Sequence, residues 1–341
     1  KRKEENTTKQ KAANMETRNK LKLGDENIKL FQPARLFHES GAQVNCIDIS
    51  FDGSHLVSSR DDDSLHLYNV FTGEKDKTLK NKNRGVDIVR FTHHDNAIIC
   101  SDNRNQGVVE YWSLYDNQIL RRFTGHTAKI NSMQMSPKND TFFTTSYDQS
   151  LRLWDLRTSS CQAMIPNLPS KAVGTFDPTG DVLFLAMSDP NSSKQIIKPY
   201  SSGDYEKGPF VTWEVDCPPV TGMKVSNNGK YLMLYCGLVV MVLDAYRGER
   251  LSNLRFEDED PNSISGENGT QPFEPAFSPD GEYIVIGRPS GNIVMFKTLS
   301  AERVTEWKCH TTPPKVLNFH PSRVFFASGS DELVFWIPDM Q

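Results

Sequence analysis

From Phe123 to Arg157 the chain reads FTGHTAKINSMQMSPKNDTFFTTSYDQSLRLWDLR. Ile130, Ser132 and Gln134 alternate with Asn131, Met133 and Met135, and Leu151 and Leu153 alternate with Arg152 and Trp154. A period of two in short bursts marks strands. Ser136-Pro137-Lys138-Asn139 and Ser146-Tyr147-Asp148-Gln149-Ser150, between the bursts, are turn chemistry. Gly125-His126 opens the unit and Trp154-Asp155 closes it.

This unit resembles one WD repeat, the source of a four-stranded propeller blade. The resemblance implies one hydrogen-bonded set: His126 after the first turn, Asp148 in the tight turn, Thr144 or Ser146 on the second strand, and Trp154 on the third. A buried indole N–H needs an acceptor, and an imidazole can bridge a hydroxyl and a carboxylate. A His–Asp pair elsewhere would suggest a triad. Here it comes with a Trp at the expected offset and no motif that places a nucleophile, so the pair is read as structural.

The turn between the first two strands serves as a ruler. It recurs at Asp52, Asp95, Lys138, Pro178, Asn228, Asp280 and Pro321, in steps of 43, 43, 40, 50, 52 and 41. Such a period is the WD-repeat spacing, and the seven turns predict an all-β, seven-bladed propeller over residues 29–339. Phe31–Glu39 reads as a lone strand with no local partner, so it is expected to complete the last blade. The long steps hold insertions, Ser188–Lys194 with the following Tyr200–Gly208 loop, and the acidic Glu257–Gln271. Trp154-Asp155 is the only Trp-Asp pair; His310, Asp331 and Trp336 are expected to rebuild the set in the last blade. Blade four, Lys171 to about Tyr200, has no closing Trp.

Net charge is −4, which argues against a dedicated duplex-DNA binder. No run of about 18 apolar residues is present, so no membrane-spanning helix is expected, and no secretory signal is read. Cys46, Cys100, Cys161, Cys217, Cys236 and Cys309 are scattered without a C-x-x-C, which fits free thiols in a reducing compartment. Asn-x-Ser/Thr matches such as Asn139 and Asn268 are then chance. Residues 1–22 carry eight Lys or Arg against three Glu, with almost no apolar content. Three readings stand open: a solvated arm, a nuclear-localisation patch, or an arm ordered by a partner. Met15 has a start-like position, which leaves open a processed extension or a foreign piece over residues 1–14.

Enzyme signatures are missing. There is no G-x-G-x-x-G, Walker loop, H-E-x-x-H or G-x-S-x-G, and no catalytic, cofactor or metal residue is assigned. His93 and His94 are adjacent, so on a strand they would point to opposite faces and share no metal. Among Asp61, Asp62 and Asp63, Asp62 lies six before Tyr68 as Asp148 lies six before Trp154, so it is the structural carboxylate. The loops that enter each first strand, and those between second and third strands, share the top face. They carry Arg60, Lys82, Arg84, Arg104, Lys129, Lys171, Arg288 and Lys315, with Tyr147 beside them. A basic rim on an acidic domain suits an acidic or phosphorylated peptide. Arg60, Arg104, Tyr147 and Arg288 are expected to reach furthest.

More specific strings follow one another: Gly85-Val86-Asp87 with Phe91-Thr92-His93; Arg152-Leu153-Trp154-Asp155-Leu156-Arg157 with Cys161-Gln162; Lys207-Gly208-Pro209-Phe210; Leu243-Asp244-Ala245-Tyr246-Arg247-Gly248; and Phe335-Trp336-Ile337-Pro338. In this order, from about Phe31 to Pro338, they resemble the WD repeat-containing protein eighty-two family. The resemblance implies a non-enzymatic nuclear adaptor. Its settings would be SET-domain histone-lysine methyltransferase complexes of the COMPASS kind, and assemblies of protein phosphatase one with its nuclear targeting subunit. The latter act in transcription termination and RNA 3′-end processing, and the family is linked to the phosphorylated RNA polymerase II tail. No cofactor, membrane or direct sequence-specific nucleic acid is implied, and the chain is expected to be monomeric within hetero-complexes. A generic peptide-binding propeller, such as a ubiquitin-ligase substrate receptor, stays open. It would want an F-box or similar helical module, and none is read ahead of Phe31.

Replacing the one Trp-Asp tryptophan is an early test. Trp154→Ala is expected to cost about 3–5 kcal/mol as a large-to-small core change. Urea unfolding measures it, and a loss under about 1 kcal/mol would contradict a buried, bonded indole.

Overall fold

The computed structural model describes residues 23–38, 41–80, 85–94, 96–102, 107–169, 171–237, 239–255 and 273–339. The basic arm 1–22 and the acidic insertion 257–271 lie outside the described residues. The rest forms seven four-stranded antiparallel sheets. Blade 1 is β2 (Val44–Ile49), β3 (His55–Arg60), β4 (Ser64–Asn69) and β5 (Glu74–Lys80); blade 2 is β6 (Val89–Phe91), β7 (Ala97–Ser101), β8 (Val109–Ser113) and β9 (Gln118–Phe123). Blade 3 is β10 (Ile130–Met135), β11 (Thr141–Ser146), β12 (Leu151–Asp155) and β13 (Cys161–Ile165); blade 4 is β14 (Val173–Phe176), β15 (Val182–Ser188), β16 (Gln195–Ser201) and β17 (Trp213–Val215). Blade 5 is β18 (Gly222–Val225), β19 (Tyr231–Cys236), β20 (Val239–Asp244) and β21 (Arg250–Arg255); blade 6 is β22 (Ala276–Phe277), β23 (Tyr283–Gly287), β24 (Asn292–Lys297) and β25 (Arg303–Lys308). Blade 7 is β26 (Val316–Phe319), β27 (Phe326–Gly329), β28 (Glu332–Pro338) and, from the other end of the chain, β1 (Phe31–His38). β1 runs antiparallel to β28 from Phe31 opposite Pro338 to His38 opposite Glu332. A short helix α1 (Asp25–Lys29) precedes β1 and buries Ile28 in the seam between blades 6 and 7.

The alternation read from sequence becomes two-sided burial. Phe142, Met133 and Trp154 of blade 3 pack with Ile99, Val109 and Phe123 of blade 2. Their strand neighbours Phe143 and Leu151 pack with Phe176, Leu183 and Leu185 of blade 4. Successive side chains point to opposite faces of a strand, so each blade feeds two cores. Seven hydrophobic clusters result among the described residues, one in each seam between neighbouring blades.

Three of the ruler turns share a device. Ser50 Oγ donates to Asp52 (2.6 Å) and accepts the His55 N–H (3.0 Å). Ser226 does the same with Asn228 and Tyr231, and Ser278 with Asp280 and Tyr283. Gly53, Gly229 and Gly281 follow with φ of 75°, 71° and 77°, the left-handed region that favours glycine. Two sequence readings need correction. Tyr200 belongs to β16 rather than to a loop, and blade 4 continues past it to Trp213–Val215, because the connection over 202–212 delays the outer strand. His93 and His94 lie in the turn after β6, not on a strand. There His93 stacks on Phe51 at 4.3 Å and bonds the Ser136 carbonyl.

The hydrogen-bonded set of blade 3 is a directional chain. Trp154 Nε1 donates to Thr144 Oγ1 (2.8 Å), Thr144 Oγ1 meets His126 Nε2 (2.7 Å), and His126 Nδ1 meets Asp148 Oδ2 (2.8 Å). With Thr144 donating to a neutral imidazole, His126 gives its remaining proton to the carboxylate. Ser146 is not in the chain; it donates to the Ala128 carbonyl. In blade 7, Trp336 Nε1 and His310 Nε2 meet on Ser328 Oγ (2.9 and 2.7 Å). One residue fewer separates His310 from Asp331, and Ser330 Oγ fills the gap, 3.0 Å from His310 Nδ1 and 2.7 Å from Asp331. Blade 1 moves the histidine onto the third strand: Asp62, Ser64, His66 and Tyr68 form the relay.

Burial holds the His310 imidazole neutral, down to about 4, with Asp331 opposing only weakly. An unfolded histidine takes its proton near ~6.5. The folded state therefore refuses a proton that the unfolded chain accepts, and stability is lost as pH falls from about 6.5 towards 4. His310→Gln is expected to flatten this part of the curve of melting temperature against pH. An unchanged slope would contradict the assignment.

Candidate functional site

The seven inner strands line a channel of about 660 Å³ along the ring axis. Loops entering the inner strands place Lys129, Lys171 and Lys315 at its top mouth, with Tyr147 from the β11–β12 turn. Lys171 Nζ sits 5.0 Å over the Tyr147 ring, a cation–π contact, and Tyr147 is half exposed. Lys129 Nζ is 2.7 Å from Asp87, and Lys315 Nζ donates to Gln43 Oε1 at 2.5 Å. These four residues share one opening.

Two residues expected to reach furthest do not reach it. Arg60 is fully buried in the seam between blades 1 and 7, where Nη1 donates to the Ala42 carbonyl at 2.9 Å. Leu56, Ser58 and Arg60 share the face of β3 turned to blade 7, so the neighbouring blade covers the guanidinium. Arg288 is also buried, with Nη1 3.5 Å from Glu306. Lys82, Arg84 and Arg104 lie outside the described residues.

Sequence reasoning missed the channel interior. Arg90 projects from β6, Lys224 from β18, and Glu274 from just before β22. Lys224 Nζ is 2.9 Å and Arg90 Nη2 3.7 Å from Glu274 Oε1. Arg90 Nη1 is engaged with the Val89 carbonyl and with Cys46 Sγ. Asp48 accepts the Phe91 N–H at 2.7 Å. Burial raises its carboxyl to about 6 with Arg90 opposing, whereas Glu274 stays below the usual range because Lys224 and Arg90 outweigh its burial. Burial also lifts the Cys46 thiol to about 11, so it is no thiolate nucleophile near neutrality. The signal in sequence was a charge at an inner-strand position otherwise flanked by apolar residues, as in Val89-Arg90-Phe91. No cluster of His, Cys, Asp and Glu suited to a metal occurs among the described residues. What the site offers is a set of cations at graded depth, Lys129, Lys171 and Lys315 at the mouth and Arg90 and Lys224 within.

A family model described as WD domain, G-beta repeat matches residues 31–69 and 117–155. The matched stretches correspond to β1–β4 and β9–β12. Each sequence repeat therefore begins with the outer strand of the preceding blade. WD repeat-containing protein 82 of Drosophila melanogaster is 34% identical over 94% of this chain and 98% of its own. COMPASS component SWD2 of Saccharomyces cerevisiae is 28% identical over 92% and 95%, and Set1 complex component swd2 of Schizosaccharomyces pombe is 31% identical over 78% and 74%. With the ring, its closing strand and this similarity in hand, the chain belongs to the WD repeat-containing protein 82 family.

Proposed function

We propose that this protein is a non-enzymatic scaffold subunit of a nuclear histone-lysine methyltransferase complex of the Set1/COMPASS kind. The observation that carries the reading is similarity over 92% and 78% of the chain to two relatives named as components of those complexes. The geometry agrees with it: a ring of seven sheets presents loops, and its channel mouth gathers cations. On this reading a SET-domain subunit holds the ring through short segments of its own chain. A second assembly, protein phosphatase one with its nuclear targeting subunit in termination and 3′-end processing, uses the same ring. Lys129, Lys171 and Lys315, with Tyr147 as a stacking platform, receive the phosphorylated RNA polymerase II tail.

Affinity purification from nuclear extract with mass spectrometry tests the scaffold reading. Methyltransferase or phosphatase subunits are expected; ubiquitin-ligase subunits in their place would overturn it. For the mouth, Lys171→Glu with Lys315→Glu is expected to weaken a phosphorylated polymerase-tail peptide by about tenfold, with a salt-dependent loss in the wild type. Unchanged affinity in a folded variant rejects the mouth as the binding surface.

A further inference from the structure

Blade 6 has an abnormal inner strand. β22 has only Ala276 and Phe277, paired with Val285 and Ile284. Upstream of it the backbone leaves blade 6 and joins blade 7. The Glu274 N–H donates to the Lys315 carbonyl (2.7 Å), and its carbonyl accepts the Leu317 N–H (3.0 Å), a parallel bridge opposite Val316. This detour puts a carboxylate into the channel, where Lys224 of blade 5 and Arg90 of blade 2 converge on one of its oxygens. Blades 2 and 5 are not neighbours, so a group that touches both cations must stand in the lumen.

The fit of that carboxylate is partial. Lys224 makes a short ion pair, but Arg90 Nη2 stays at 3.7 Å, beyond hydrogen-bond distance. An arginine satisfied by a carboxylate normally offers two parallel N–H groups. Arg90 instead gives Nη1 to a carbonyl and a thiol sulfur. A phosphate has more acceptor oxygens and more charge than a carboxylate, so it can engage both cations at once. Lys129, Lys171 and Lys315 line the same channel.

We propose that Arg90 and Lys224 form an inner phosphate-binding subsite of the channel, and that Glu274 occupies it as an intramolecular stand-in which an incoming phosphorylated side chain displaces. The proposal rests on the reading that a phosphorylated segment enters by the top mouth. It adds depth and competition: the chain's own carboxylate sets the affinity threshold.

Calorimetric titration of the full chain tests it, with inorganic phosphate and with the phosphorylated tail peptide, at low ionic strength. Glu274→Gln keeps the shape and removes the charge, and is expected to bind both probes about tenfold more tightly. Adding Lys224→Gln should abolish the gain. Lys224→Gln alone, which leaves Glu274 beside Arg90, should weaken the peptide several-fold and gives a readout should Glu274→Gln fail to fold. A peptide bound equally by the wild type, Glu274→Gln and Lys224→Gln, yet lost in Lys171→Glu with Lys315→Glu, overturns the inner subsite and leaves the mouth reading standing. A gain for inorganic phosphate in Glu274→Gln without peptide binding in any variant upholds the subsite and sinks the mouth reading. No gain for either probe overturns the proposal.

Discussion

Everything in this molecule depends on closing a circle. No blade owns a core. Trp154, Phe142 and Met133 have their apolar contacts in the seam with blade 2, and Phe143 has its own in the seam with blade 4. A sheet with two apolar faces needs two neighbours, and an open row would leave two faces bare. The pairing of β1 with β28 removes those ends by joining the start of the described chain to its finish. Phe37 lies against Tyr68 and Phe335, so the closing strand also packs into the seam between blades 7 and 1. The offset between repeat and blade, seen in the match over residues 31–69, makes this closure a consequence of the repeat itself.

The polar chains act within that frame. A tryptophan N–H, a hydroxyl, an imidazole and a carboxylate satisfy one another between strands, so each buried polar group costs little. Blade 3 has the full set, blade 7 inserts Ser330, and blade 1 places the histidine on its third strand. The common requirement is satisfaction of the aromatic residue's polar handle and of the turn carboxylate. The ring leaves an open axis, where cations from separate blades face one lumen.

Much of this was legible in the chain. The Ser-x-x-Gly turns carry their own reason, a serine hydroxyl that closes the turn and a glycine at positive φ, so they mark blades 1, 5 and 6, which have no closing Trp. His126, Asp148 and Trp154 were placed together by the resemblance to a WD repeat, and the structure joins them through Thr144. Burial of Arg60 and Arg288 was not legible, because strand alternation tells which face a side chain takes but not what lies against it. Blade 4 hid its outer strand behind a long connection. Glu274 was invisible for a different reason: its backbone pairs with blade 7, and no local pattern announces a strand that leaves its own sheet.

The central claim is that β1 is an integral member of the ring rather than a strand laid on its edge. Native-state amide hydrogen exchange across β1 and β28 measures this directly. If closure sustains the ring, the hydrogen-bonded amides of β1 open with the same free energy and denaturant dependence as the slowest amides of β11 and β19. Exchange of β1 at a much lower free energy, with the other blades still protected, would contradict it.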